Sequence, residues 1–284
     1  MARPLSPPPE FDDRSPWGTY RPTAAIALRL ALAHRLPPFL KQTALALRKP
    51  VKYGLDTPLD LDIRGLKLRL LPRGNISEEK FYTAPHLFDP EEFALMDRRL
   101  KPGNVFLDIG ANAGIYSFHA HRCMQGRGRI LAIEPDPEMG RRIAFNLRTN
   151  TLADIELVPV ALSDRDGTAE FYVNPNQRGT NTLLAGKSDP KSGERITVSV
   201  PVRTLLSLLQ ERRIERIDML KIDVEGHEHA VLGHFLAAAP VSLLPRVIIS
   251  EFKNHAAGGT PDLLQAAGYR LGKATRLNFI FERT

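Results

Sequence analysis

The stretch Val105-Phe-Leu-Asp-Ile-Gly-Ala-Asn-Ala-Gly114 constrains this chain more than any other. An apolar run ends in Asp108. A loop with Gly110, Asn112 and Gly114 follows, and Ile115-Tyr-Ser-Phe-His-Ala-His121 then reads as a helix. A buried strand, a glycine turn and a helix N-terminus in that order form a unit whose free backbone N–H groups face a small polar ligand. The helix dipole favours a carboxylate or phosphate there, and glycine lets a ligand approach the backbone. The loop is not the dinucleotide fingerprint. In that pattern a middle glycine admits pyrophosphate, and here Asn112 holds the slot. S-adenosylmethionine, with a carboxylate, a ribose and an adenine but no pyrophosphate, fits better. A tight structural turn between strand and helix would carry the same pattern.

The chain after this stretch alternates strands and helices. Strand signals at 129–134, 155–162, 217–223 and 246–252 accompany 105–109, and helices are expected from about Gly114, Pro135-Asp-Pro137, Gly226 and Pro261. The alternation predicts an α/β fold, a doubly wound, mostly parallel seven-stranded sheet. Residues 269–273 and 277–282 close it as an antiparallel pair. Residues 168–173 and 196–202 read as added strands around a Gly/Asn/Ser-rich loop, and 204–212 as a helix. Upstream, the alternation over 59–64 and 66–70 around Gly65 signals a hairpin. Asp89-Pro-Glu-Glu-Phe opens a capped helix ending near Lys101-Pro-Gly103. Residues 1–22, rich in Pro and polar groups, are expected to be disordered, and 23–49 to form two short helices split by Pro37-Pro38. The expected division is an extension over 1–58 and a catalytic domain over 59–284, with hairpin and helix at 59–103 and the core at 104–284.

Charge and cysteine content narrow the classes. Of a net charge of +7, residues 1–58 carry +5, with nine Lys and Arg against four Asp and Glu. The remainder is nearly balanced, which argues against nucleic acid as a partner of the core. The extension could contact a membrane surface or an acidic partner, or be an ordinary solvated face. Cys123 is the only cysteine, so no internal disulfide forms, and packing is its expected role. No transmembrane segment is expected: the apolar stretch 23–33 contains Arg29 and is too short to span a bilayer. Without a signal-peptide pattern the expected location is cytoplasmic. Whether the protein is a homo-oligomer stays open.

The core strands end alike. Val-Phe-Leu stops at Asp108, Ile-Leu-Ala-Ile at Glu134, Val-Pro-Val-Ala-Leu at Ser163-Asp164, Met-Leu-Lys-Ile at Asp223 and Val-Ile-Ile-Ser at Glu251. Ligands of a doubly wound sheet bind outside these carboxyl ends, so five polar ends point to one polar site. Gly110 to Gly114 would meet the methionine part of the cofactor. Glu134 suits the two ribose hydroxyls, since a carboxylate has two acceptor oxygens; a helix cap is the plainer role. The turn Ala161-Leu-Ser163 would lie beside adenine, or be a simple strand exit. Lys221, inside an apolar strand, needs a partner, expected in Asp108 or another strand-end acid. Beyond it Asp223, Glu225 and His227 crowd the site mouth, an arrangement that shifts pKa values and suits proton transfer. His229 and His234 read as helix-surface residues, and His119 and His121 lack the Cys/His spacing of a zinc site.

Asp108-Ile-Gly-Ala-Asn-Ala-Gly114, Ile133-Glu134-Pro135, Ala161-Leu-Ser-Asp164 and Leu220-Lys-Ile-Asp-Val-Glu-Gly226 occur in that order. Together they resemble the FkbM family of S-adenosylmethionine-dependent methyltransferases, from about residue 105 to 251. The resemblance implies a class I, Rossmann-like methyltransferase fold and O-methylation of a hydroxyl on a sugar or natural product. It implies cofactor binding by Asp108, Gly110, Asn112, Gly114, Ser117, Glu134, Ala161, Ser163 and Asp223. His227 departs from the small or apolar residue expected after Glu225-Gly226, and residues before 59 lie outside the resemblance.

In-line attack of a substrate oxygen on the sulfonium methyl would rest mainly on positioning. The candidate bases for the hydroxyl proton are Asp223, Glu225, His227 and Glu251, with Asp223 and Glu225 covered by the family motif and His227 the better base by unperturbed pKa. Asp223, Glu225 and Glu251 could instead hold Mg²⁺ or Ca²⁺. Asn174-Pro-Asn-Gln-Arg-Gly-Thr-Asn-Thr-Leu183 would form a lid or a plain surface loop. The rival readings are a cofactor-binding scaffold without catalysis and an NAD-linked oxidoreductase, against which Asn112 speaks.

Overall fold

The computed structural model describes residues 7–184, 195–251 and 259–283. Two helices come first, α1 (Ala24–Ala33) and α2 (Lys41–Gly54), split at Pro37-Pro38 as expected. The hairpin β1 (Leu59–Ile63) and β2 (Leu66–Leu70) turns at Arg64-Gly65, both in left-handed conformation. Helices α3 (Ile76–Thr83) and α4 (Pro90–Arg99) precede the core. The core then runs β3 (Val105–Ile109), α5 (Ile115–Met124), β4 (Arg129–Ile133), α6 (Pro137–Asn150) and β5 (Ile155–Val158). Three added strands follow, β6 (Ala161–Ser163), β7 (Gly167–Val173) and β8 (Ile196–Thr204). The chain closes with α7 (Leu205–Glu211), β9 (Met219–Ile222), α8 (Glu228–Ala238), β10 (Val247–Glu251), α9 (Thr260–Ala266), β11 (Tyr269–Ala274) and β12 (Asn278–Arg283).

The main sheet has seven strands in the order β11-β12-β10-β9-β3-β4-β5. Five are parallel, and β12 inserts antiparallel beside β10. This is the expected doubly wound sheet. Its strands read as near-continuous apolar runs because both faces are covered. Phe106, Ile130 and Met219 pack toward the hairpin, α4, α5 and α6, while Leu107, Leu131 and Leu220 pack toward α7, α8 and α9. Among the described residues no helix is long and apolar enough to cross a membrane.

Four features differ from the expected layout. The run 155–162 is two strands in two sheets: β5 ends at Val158, and after Pro159 the chain resumes as β6 beside β8. Proline has no N–H with which to continue a ladder. Asp89 does not cap α4. Its backbone is left-handed and its carboxylate accepts the Tyr116 hydroxyl at 2.9 Å. Helix α3 is additional to the expected elements: it starts at Asn75-Ile-Ser-Glu78, where the Asn75 side chain accepts the N–H groups of Ser77 and Glu78.

The fourth change concerns the residues expected to be disordered. The described part, residues 7–22, is strapped onto the hairpin. Arg69 is fully buried and forks onto Asp60 at 2.7 and 2.8 Å; its remaining N–H groups donate to the carbonyls of Asp12, Ser15 and Pro16. Phe11 packs edge-on against Phe145 of α6. Leu30 of α1 and Val51 of α2 join the same apolar cluster as β2 and α5. Polar composition misled because the polar groups are backbone carbonyls serving one buried guanidinium.

Candidate active site

Strand register sets the floor of the site. Asp108 lies beside Lys221 where β3 pairs with β9. The Asp108 carboxylate is buried. One oxygen accepts the Ser117 N–H at 3.0 Å and its hydroxyl at 2.7 Å, so Ser117 serves to hold Asp108. The other oxygen has no hydrogen-bond partner and stands 4.0 Å from the Lys221 ammonium. Burial raises the pKa of Asp108, opposed by Lys221 and Ser117. Burial pulls Lys221 down, but Asp223 at 3.4 Å and Asp108 outweigh it and leave its pKa raised. The expected partner for this ammonium is therefore in place, and there are two.

The loop above them is shaped by close approach. Gly110, Asn112 and Gly114 all have positive φ. A Cβ on Gly110 would collide with the Asp223 carbonyl oxygen. That glycine lets the ends of β3 and β9 touch, where the sequence suggested room for a ligand. A Cβ on Gly114 would press on Phe118 and Ile143 at 3.1 and 3.3 Å. Asn112 donates its N–H to Glu134 at 2.7 Å, and its side-chain oxygen accepts from Asn75 at 2.5 Å. Asn75, before α3, thus joins the site, although nothing in its sequence spacing linked it to the loop.

Glu134 ends β4. Its two oxygens accept the N–H groups of Asn112 and Asp136. Burial pushes its pKa up to about 7, partly opposed by those two bonds. Asp136 caps α6 and holds the loop after β7: Arg178 donates to both its oxygens at 2.8 and 2.7 Å, and Asn181 donates to one at 2.7 Å.

Two cavities open on either side of the Gly110–Asn112 turn. The first is walled by Val160, Ala161, Leu162, Phe171 and Leu183, and Glu134, Glu225 and His227 also line it. Arg178, Gly179 and Asn181 line it as well, so the stretch read as a lid or loop is one of its walls. The second is lined by Lys80, Asp89, Tyr116, Lys221, Glu251 and Asn278. Asn112 and Asp223 border both. Oxygens of Asp223, Glu225 and Glu251 lie within 4.8 Å of one another, which brings three of the four candidate bases together. The fourth is apart: His227 is hydrogen-bonded to the Ser163 hydroxyl at 2.9 Å, and burial lowers its pKa. Ser163 faces this histidine and Asp164.

A separate group forms where α4 meets α5. His119 and Cys123 stand one helical turn apart and Asp97 reaches them from α4. Spacing within one segment could not disclose it. Burial lowers His119 to about 4 and raises Cys123 to about 12, and Arg64 sits 3.1 Å from the other His119 nitrogen.

The chain belongs to the Methyltransferase FkbM domain family, which matches residues 108–271, more than half of its length. Among curated relatives it is 32% identical over 157 residues to the methyltransferase sdnD of Sordaria araneosa, covering 46% of this chain and 60% of that protein. It is 29% identical over 145 residues to the 2-O-methyltransferase NoeI of Sinorhizobium fredii, covering 47% and 58%. To the 31-O-demethyl-FK506 methyltransferase FkbM of Streptomyces tacrolimicus it is 29% identical over 160 residues, covering 47% and 60%. The chain thus spans about 60% of the length of these relatives. The family match begins at Asp108, so the strap, α1 to α4 and the hairpin lie outside it.

Proposed function

We propose that this protein is an S-adenosylmethionine-dependent O-methyltransferase acting on a hydroxyl of a small molecule, of the sugar or natural-product kind. One observation carries the reading. The strand-end surface is divided into an apolar cavity lined by Glu134 and a polar cavity holding carboxylates, with Asp223 bordering both. The residues fit the cofactor. The apolar walls of the first cavity suit adenine, and Glu134 has free lone pairs for two ribose hydroxyls. When bound, S-adenosylmethionine supplies an electrophilic methyl group on sulfur.

The protein's own residues do the rest. Asp223, Glu225 and Glu251 offer carboxylates to receive the hydroxyl proton, and Lys221 balances their charge. His227, tied to Ser163 in the first cavity, belongs with the adenine end and not with the proton. Two relatives carry O-methylation in their names, which supports oxygen as the acceptor atom. A second reading seats Mg²⁺ or Ca²⁺ among the three carboxylates, favoured by their 4.8 Å grouping. The Lys221 ammonium, already 3.4 Å from Asp223, weighs against it.

The test is transfer of isotope-labelled methyl from S-adenosylmethionine to a panel of hydroxylated small molecules, with and without a chelator. Label on oxygen is expected, undiminished by the chelator. In Glu251→Gln, kcat is expected to fall about 10²–10⁴-fold with cofactor binding unchanged. Label on nitrogen or carbon would overturn the acceptor, and loss with the chelator would favour the metal.

A further inference from the structure

Helix α1 has the sequence AAIALRLALA, yet only Leu30 and Ala33 are buried. Leu28 and Leu32, one turn apart, are 63% and 47% exposed, and Phe39 and Leu40 just beyond are 83% and 37% exposed. Soluble surfaces scatter such residues singly; a contiguous group marks an interaction face. The face is held firmly. Leu30 packs in the core cluster, the His34 ring bonds the Tyr82 carbonyl at 2.8 Å, and the His86 ring bonds the Leu36 carbonyl at 2.8 Å.

Charge decides what covers it. Residues 23–55 contain Arg29, Arg35, Lys41, Arg48, Lys49 and Lys52 and no Asp or Glu. Arg48 and Lys52 pair with Glu79, while Arg29, Arg35 and Lys41 show no ion pair among the described residues. Exposed leucines and a phenylalanine ringed by unpaired cations match a surface that is apolar below and anionic above. A second copy of this chain would bring Arg29, Arg35 and Lys41 against the same three cations, a poor match.

We propose that residues 24–41 dock the protein on an anionic lipid surface. Leu28, Leu32 and Phe39 enter the interface, and Arg29, Arg35 and Lys41 meet the headgroups. The same turn borders a cavity that shares lining residues with the site. Lys41, Ala44, Leu45 and Arg48 line a cavity of about 310 Å³ that also contains Lys80 and Asp89. Lys80 and Asp89 line the cavity holding Lys221 and Glu251 as well. Docking therefore brings the mouth of the acceptor side to the lipid surface, and an amphiphilic hydroxyl acceptor could enter from it.

Co-sedimentation of the full chain with vesicles tests this without needing methyl transfer. Binding is expected to phosphatidylcholine vesicles containing phosphatidylglycerol, weaker as salt rises, and absent with phosphatidylcholine alone. Leu28→Ser/Leu32→Ser/Phe39→Ser and Arg29→Gln/Arg35→Gln/Lys41→Gln are each expected to weaken partitioning about tenfold or more. Their melting temperatures should match wild type, because the residues are exposed. No binding to the anionic vesicles, or equal binding by the serine variant, overturns the proposal. A dimer that the serine variant dissolves, without vesicle binding, assigns the face to a second copy instead.

Discussion

The Glu134 carboxylate accepts two backbone N–H groups, one from the glycine loop and one from the turn into α6, while buried at the end of β4. Its pKa of about 7 lies above the ordinary 4.5, so folding favours its uncharged form. That contribution to stability is fully present below 4.5 and is lost as pH rises through about 7. It amounts to about 3 kcal/mol at most. Binding should run the opposite way, because the ionised carboxylate is the better acceptor for ribose hydroxyls. Thermal melts of the ligand-free protein should decline over this window more steeply than those of Glu134→Gln, while affinity for S-adenosylmethionine rises; a flat affinity would remove Glu134 from the ribose. The acids themselves were legible in the sequence, since an apolar run that stops at Asp108, Glu134, Asp223 or Glu251 marks a strand end. What each atom touches was not. Ser117 turns inward to Asp108, His227 turns to Ser163, and Asn75 reaches the loop from 37 residues away.

At the scale of elements, the loop after β7 is fastened to the turn after β4. Arg178 and Asn181 converge on Asp136, two residues beyond Glu134, and Leu183 completes the apolar wall. Arg178→Ala is expected to raise the cofactor KM severalfold with little change in kcat, because it loosens a wall and leaves the carboxylates at β9 and β10 alone. Unchanged steady-state constants would make the segment an ordinary surface loop. Period and turn signals revealed the sheet, its helices and the closing antiparallel pair, because those are written in local spacing. They failed at Pro159, where one apolar run serves two sheets, and at α3, whose residues Glu78 and Glu79 are buried by ion pairs to Arg142 and Lys52 and so blur the apolar stripe.

Across the whole molecule, the part outside the family match is the part the sequence disclosed least. The strap over 7–22, the buried Arg69–Asp60 pair and the packing of Leu30 and Val51 depend on contacts between distant segments, which no local pattern records. Lys80 and Asp89 from these pieces line the polar cavity beside Lys221 and Glu251 of the matched region, whereas the apolar cavity, the proposed cofactor side, lies wholly within the matched region. The account turns on that cofactor side. The measurement that tests it most directly is calorimetric titration of the folded protein with S-adenosylmethionine and its demethylated product, repeated with Glu134→Ala. Binding by wild type, about tenfold or more weaker in the variant, is the predicted result. No binding of either compound by folded wild-type protein would contradict it.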